Sequence, residues 1–125
     1  MSRKVPAKLT LHKVSKELSV DYGQEESYRL PAEFLRVLSP SAEVRGHGRP
    51  VLQTGKLHVG LSQVEAVGHY AIKLIFDDGH DSGIYNWDYL YDLCSNREAH
   101  WDNYLKQLHE AGASRDPDAS VVKLV

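Results

Sequence analysis

The feature that most constrains the fold is a change of hydrophobic period along the chain. Leu9 and Leu11 alternate with polar neighbours, and Tyr70 and Ile72 do so again further on. Alternation with a period of two places the apolar side chains on one face of a β-strand. After Tyr85 the apolar spacing becomes i, i+3, i+4 and i+7, which is typical of amphipathic helices. Strands followed by helices predict an α+β fold, with a small antiparallel sheet and C-terminal helices packed on one side.

Turn signals divide the strand-like part of the chain. Residues 14–16 form a plausible hairpin turn, and Ser27 to Leu30 reads as a third short strand. The sequence Asp-Asp-Gly at 77–79 predicts a tight hairpin, because Asp-Gly tolerates the positive φ that such turns require. The return strand is then expected over 80–85. Between these regions, Pro31 favours the start of a short helix.

Two helices are expected after the last strand. Asn86 is placed to cap the first helix, and Gly112 can end the second in the left-handed conformation. Ser95 and Glu98 have the spacing of a capping box for the second helix. The apolar stripe of the first helix comprises Trp87, Leu90, Tyr91 and Cys94, and that of the second comprises Trp101, Tyr104, Leu105 and Leu108.

Length and composition favour one domain without nucleic-acid or membrane function. The chain has 125 residues and a formal net charge of -2, so nothing global favours binding to nucleic acid. No apolar run approaches the length of a membrane-spanning helix. Cys94 is the single cysteine, which excludes an intramolecular disulfide and fits a reducing compartment. We expect a cytoplasmic monomer or homodimer, with a domain over 1–112 and a flexible tail over 113–125.

The segment 39–56 is rich in glycine and proline, which favours a loop. Arg45, Arg49 and Lys56 lie among its glycines. Arginine can grip a carboxylate or phosphate with two hydrogen bonds, and glycine lets the backbone approach closely. The segment is therefore a candidate anion-binding loop. The alternative is an ordinary surface loop whose basic side chains are solvated.

Two stretches, 77–90 and 30–36, resemble the gamma-butyrobetaine hydroxylase-like N-terminal domain family, in its stand-alone bacterial type. In the hydroxylases this domain precedes a catalytic barrel that uses iron and 2-oxoglutarate, and some relatives are fused to ATPases that assemble iron–sulfur clusters. The resemblance also implies a structural zinc site of three cysteines and one histidine. Here the three cysteine positions align on Ser39, Ser41 and Val44, and the histidine position aligns on His80. A tetrahedral zinc site cannot be built from one such ligand.

A different metal site is possible if the loop folds over the hairpin, as the resemblance implies. His47 and His80 would then approach each other, with Asp78, Asp81 or Glu43 completing a set of nitrogen and oxygen ligands. Such a set suits zinc or iron. The alternative is that His80 is a hydrogen-bonding residue of a tight turn.

The third candidate site is a protein interface on the first C-terminal helix. Tyr89 is off the apolar stripe and lies beside Asp88 and Asp92; tyrosine is enriched at protein interfaces. Catalysis is not expected, because Cys94 lies on a buried stripe, and the proximity of Ser82 and His80 does not establish the orienting acid and oxyanion hole that such a pair needs. The sequence therefore favours a non-catalytic accessory module with a protein partner, linked by resemblance to iron–sulfur maturation or iron-dependent oxygenases. Metal binding through His47 and His80 is the alternative.

Overall fold

The fold is α+β, as the sequence predicts. The computed structural model describes residues 4–41 and 51–118, and none of the helices in these ranges has the length and apolarity needed to cross a membrane. In chain order the elements there are β1 (Lys8–His12), β2 (Glu17–Gly23), β3 (Glu26–Pro31), α1 (Ala32–Val37), β4 (Leu61–Val67), β5 (Ala71–Phe76), β6 (Ile84–Asn86), α2 (Trp87–Ser95) and α3 (Arg97–Ala111).

The strands form two antiparallel sheets of three strands each, ordered β1-β2-β3 and β4-β5-β6. Both predicted turns are present: Lys16 takes a φ of 59° and Gly79 a φ of 91°. At the second turn, the Phe76 N–H donates to the carbonyl of His80 at 2.9 Å. The regular return strand is shorter than expected, because it begins at Ile84 and covers three residues.

The main core lies where both sheets meet α1 and α2. Alternate residues of β2 and β5 point inward, which is the consequence of their period-two pattern. The fully buried side chains that fill this core come from every layer: Leu18, Val20 and Leu30 from the first sheet, Leu74 and Phe76 from the second, Phe34 and Leu35 from α1, and Leu90 and Leu93 from α2.

Helix α3 packs on α1 instead of on a sheet. Its buried residues Tyr104 and Leu108 form a small second core with Val37 at the end of α1, and Leu52 and Trp101 pack against it. The expected stripe was wrong at Leu105, which is 37% exposed. The reason is that α1 is a narrower surface than a sheet and covers fewer positions of the helix.

Two of the three predicted helix caps are confirmed. The side chain of Asn86 accepts a hydrogen bond from the Tyr89 N–H at 2.8 Å, which satisfies a free donor of the first turn of α2. Gly112 ends α3 with a φ of 63°. Both are cases in which one residue determines the local geometry.

The predicted capping box of Ser95 and Glu98 was wrong. Helix α2 continues through Ser95, whose hydroxyl donates to the Tyr91 carbonyl at 2.8 Å. The N-cap of α3 is Asn96, and its side chain makes no capping hydrogen bond. Because one residue separates the two helices, Ser95 is used by the end of the first instead of the start of the second.

The segment after α3 is attached to the domain as far as the structure describes it. The carbonyls of Ser114 and Arg115 accept hydrogen bonds from the N–H groups of Gly55 and Leu57, at 2.9 and 3.0 Å. A flexible tail was expected from residue 113. Residues 114 and 115 instead pair with the chain segment that leads into β4, which places Arg115 beside α1.

Candidate functional site

Helix α1 carries two charged side chains that are almost completely buried. Glu33 and Arg36 are each 6% exposed. Glu33 accepts two hydrogen bonds from the Arg115 guanidinium, at 2.6 and 2.7 Å, in the two-pronged geometry that is strong for this pair. Arg36 donates to Asp78 at 2.8 Å and to Gln53 at 3.2 Å. The helix therefore connects the hairpin, the segment before β4 and the segment after α3.

The Asp78 carboxylate is held by three donors. Besides Arg36, it contacts the Lys56 ammonium at 3.3 Å and accepts from the backbone N–H of His80 at 3.1 Å. Partial burial alone would raise the pKa of Asp78, but the hydrogen bonds from His80, Arg36 and Lys56 and the charge of Arg36 lower it below its ordinary value. The carboxylate is thus ionised and already neutralised by side chains of the protein.

His80 is buried against two serines. It is 5% exposed, and its Nε2 lies 2.9 Å from the Ser39 hydroxyl and 3.3 Å from the Ser41 hydroxyl. Its ring also packs on Phe76, with centroids 5.9 Å apart. These contacts join the β5–β6 hairpin to the chain that leaves α1, so His80 forms a hydrogen-bonded cross-link between the two.

Gly83 is part of the same cluster, because it leaves room for Ser39. A Cβ atom at Gly83 would lie 2.3 Å from the Ser39 hydroxyl oxygen, a distance that real side chains do not show. The glycine is thus required by a close approach and not by a turn. Without it, Ser39 could not point at His80.

The three positions that the resemblance assigns to zinc ligands and that are described here do meet in space. Ser39, Ser41 and His80 are in contact, while Val44 lies outside the described residues. Zinc sites of this kind use thiolates and imidazoles, so the two serine hydroxyls do not fit the family's zinc. Hydrogen bonds, and not thiolate ligands, join these three residues.

The alternative metal set is not assembled in the described part of the chain. Residues 4–41 and 51–118 contain no group of three His, Cys, Asp or Glu side chains that could hold a metal ion. Asp78 is engaged by Arg36 and Lys56, and Asp81 is exposed. His47 and Glu43 lie outside the described residues.

Half of the candidate anion-binding loop, residues 42–50, lies outside the described residues as well. Arg45 and Arg49 lie there. Lys56 is described, and its partly exposed ammonium contacts the Asp78 carboxylate at 3.3 Å. The charge of Lys56 is therefore used within the fold.

Tyr89 is less exposed than the sequence suggests. It is half-buried, its hydroxyl donates to the Leu38 carbonyl, and its ring packs on Tyr85 with centroids 6.0 Å apart. Asp88 is exposed, whereas Asp92 pairs with His100 at 2.8 Å. Tyr89 is therefore partly exposed, because its side chain reaches the end of α1.

Tyr89 instead lines an open cavity of about 670 Å³ between the end of α1 and α3, here called the α1–α3 groove. The floor is apolar and the α3 side is mainly polar. Its lining residues are Val37, Leu38, Ser39, Val51, Leu52, Gln53, Tyr89, His100, Asn103, Tyr104, Gln107, Glu110 and Ala111. Most of these were missed from the sequence. The signal present was the helical spacing of His100, Asn103, Gln107 and Glu110, which reads as an ordinary solvated face.

Cys94 and Ser82 are the two nucleophiles that the sequence analysis considered. Burial raises the pKa of the Cys94 thiol to about 12, so the thiolate that acts as a nucleophile is not formed near neutral pH. Ser82 is exposed and two residues from His80, but the His80 Nε2 faces Ser39 and Ser41.

Three solved structures are similar to this chain. One is a protein solved in solution by NMR, 62% identical, with 98% of each chain covered and a TM-score of 0.86. A second NMR structure is 46% identical over 99% of this chain and 94% of that one, with a TM-score of 0.78. A crystal structure of a protein of unknown function from Acidithiobacillus ferrooxidans is 39% identical over 70% of this chain and 90% of its own, with a TM-score of 0.60.

The sequence comparison gives the family. Comparison with curated proteins gives no significant match. Residues 9–91 match the family described as gamma-butyrobetaine hydroxylase-like, N-terminal. That range contains α1, the Ser39–His80 cross-link and, apart from Lys8, both sheets. The chain therefore belongs to the gamma-butyrobetaine hydroxylase-like N-terminal domain family.

Proposed function

We propose that this chain is a non-catalytic protein-interaction module that binds its partner in the α1–α3 groove. The observation that carries the proposal is the groove itself, an open cavity of about 670 Å³ with an apolar floor. Val51, one of the apolar residues that line the groove, is 51% exposed. Apolar side chains exposed in a concave surface with a polar rim are typical of binding sites.

The aromatic residues of the groove are held rigidly, which supports binding. The Tyr104 hydroxyl donates to the Gln53 carbonyl at 2.7 Å, and the Tyr89 hydroxyl donates to the Leu38 carbonyl. Both rings are thereby fixed before any partner arrives. A preorganised surface loses less conformational entropy on binding. Iron-dependent oxygenases and iron–sulfur assembly factors are the first partner classes to test, on the family relationship alone.

A pair of substitutions on neighbouring positions of α3 tests the proposal. Gln107→Trp fills the groove, whereas Lys106→Trp places the same side chain on an exposed position that does not line it. We expect both variants to fold as the parent does, by circular dichroism. Only Gln107→Trp is expected to lose the proteins that copurify with the tagged parent. Equal retention by both variants, or no protein retained by the parent, contradicts the proposal.

Metal binding through His47 and His80 stays the alternative prediction. Elemental analysis of untagged protein, purified without chelators and in parallel without oxygen, tests it. Near-stoichiometric zinc or iron that disappears in His47→Ala or His80→Ala favours this alternative. Metal-free protein that remains folded contradicts it.

A further inference from the structure

The polar wall of the α1–α3 groove is one face of helix α3. His100, Asn103, Gln107 and Glu110 recur on it at helical spacing. His100 and Glu110 are separated by about 15 Å along the helix, at 1.5 Å per residue. An extended peptide advances about 3.3 Å per residue, so about four to five residues fit along this wall.

The middle of the wall offers amide groups. Asn103 and Gln107 are exposed, and neither side-chain amide has a hydrogen-bond partner within residues 4–41 and 51–118. Each amide has both donors and an acceptor, which is the pattern that a peptide backbone complements. A row of such groups above an apolar floor suits an extended peptide with one apolar side chain inserted.

The charge of the groove is negative at one end. Glu110 lies there, in the last turn of α3, where the free carbonyls of the helix add partial negative charge. The described lining contains no Lys or Arg side chain. His100 is at the other end and is engaged by Asp92 at 2.8 Å. The exposed His109 follows the last buried leucine but does not line the groove.

We infer that the partner presents an extended segment of about four to five residues, with an apolar side chain on the groove floor and a Lys or Arg side chain facing Glu110. This inference rests on the proposed function and specifies its partner. Leu38, Leu52 and the Tyr104 ring contact the apolar side chain, and the amides of Asn103 and Gln107 bind the backbone. Glu110 selects the basic residue.

Capped pentapeptides test this directly. Each peptide of the first set consists of alanines with one leucine and one arginine, and the set covers every placement of these two residues. A matched second set carries glutamate in place of arginine. NMR spectra of the ¹⁵N-labelled chain are recorded during titration. We expect an arginine peptide to shift the amide signals of Leu52 and of 100–111, with affinity about two- to fivefold above its glutamate counterpart, as an exposed ion pair gives.

Charge reversal at the helix end separates the possible outcomes. Glu110→Lys is compatible with a helix C-terminus and is expected to reverse the preference for arginine, whereas Asp102→Lys, an exposed position outside the groove, is not. Binding of both peptide sets with equal affinity overturns the charge assignment. If no peptide shifts the amide signals of the groove residues, the inference of an extended segment is overturned. A folded partner surface or a small molecule then remains as the ligand of the groove. In both cases the Gln107→Trp result still decides the proposed function independently.

Discussion

At the scale of single residues, the hydroxyl of Tyr22 is buried and has no hydrogen-bond partner among the described residues. Its ring meets those of Tyr28 and Tyr91 edge to face, with centroids 6.0 and 5.1 Å apart. Burial and the neighbouring Cys94 thiol raise the pKa of Tyr22. The ring therefore serves packing, and the oxygen adds a desolvation cost.

We expect Tyr22→Phe to leave the free energy of unfolding unchanged or to raise it by up to about 1 kcal/mol, because an unsatisfied buried group is removed. Tyr85→Phe is the matched comparison, since the Tyr85 hydroxyl is buried and donates to the Leu35 carbonyl. That variant is expected to lose about 1 kcal/mol. Urea denaturation followed by circular dichroism measures both. An equal loss in the two variants contradicts the assignment.

At this scale, the sequence predicted which residues share a site better than it predicted the partners of the buried charges. The resemblance aligned Ser39, Ser41 and His80 on one site, and the structure brings them within 3.3 Å. The sequence did not reveal that Glu33 and Arg36 are buried, because a charged residue in a short helix normally faces solvent. Their partners Asp78 and Arg115 lie far away in sequence, and period-based reasoning has no signal for such pairs.

At the scale of elements, the ion pair between Arg36 of α1 and the hairpin depends on the ionised state of Asp78. The folded-state pKa of Asp78 lies below the ordinary value of about 3.9. Its contribution to stability is therefore fully present above about pH 4 and is lost as the pH falls through the lowered folded-state pKa. We expect Asp78→Asn to lose roughly 1–2 kcal/mol at neutral pH, since a partly exposed pair is screened by solvent. The free energy of unfolding of this variant falls less steeply below pH 4 than that of the parent.

Asp81→Asn is the control, because Asp81 is an exposed neighbour on the same hairpin. The Glu26 carboxylate has its pKa lowered to about 2 by hydrogen bonds from Tyr28, Lys4 and Tyr91, and it contributes the same acid dependence to all variants. Denaturant titrations from pH 7 to pH 2 separate the contribution of Asp78 to the free energy of unfolding from that of Glu26. Parallel curves for the parent and Asp78→Asn exclude the role assigned to Asp78.

The elements themselves followed from sequence wherever one residue or one period determines them. Asn86 and Gly112 fixed helix ends, and Gly79 fixed a turn. The failed capping box of Ser95 and Glu98 shows the limit of such signals. The pattern was present, but the continuing helix α2 used Ser95 first.

At the scale of the whole molecule, the salt bridge between Arg115 and Glu33 attaches the last described segment to α1. Arg115→Ala leaves Glu33 buried without its guanidinium, and we expect a loss of roughly 1–3 kcal/mol in the free energy of unfolding. Amide hydrogen exchange at Gly55 and Leu57 is expected to accelerate, since their N–H groups bond to residues 114 and 115.

The matched control is Arg97→Ala, which removes an exposed arginine bonded to the Arg29 carbonyl. It is expected to change stability by less than about 0.5 kcal/mol. Similar losses of stability in the two variants, with unchanged hydrogen exchange at Gly55, contradict the role assigned to Arg115.

The layered α+β arrangement was predictable because strands preceded helices. The separation into two sheets and the packing of α3 on α1 depend on side-chain shape, which periodicity does not encode.

The contact between Gly83 and Ser39 has a consequence for how this domain can diverge. Any side chain at 83 pushes the hydroxyl of residue 39 away from His80, so the first step of a substitution there is also the loss of the cross-link. Gly83 can therefore be replaced without this cost only after the contact between Ser39 and His80 has already been lost. We therefore expect a side chain at position 83 only in domains that lack this contact, although the three positions are far apart in the sequence.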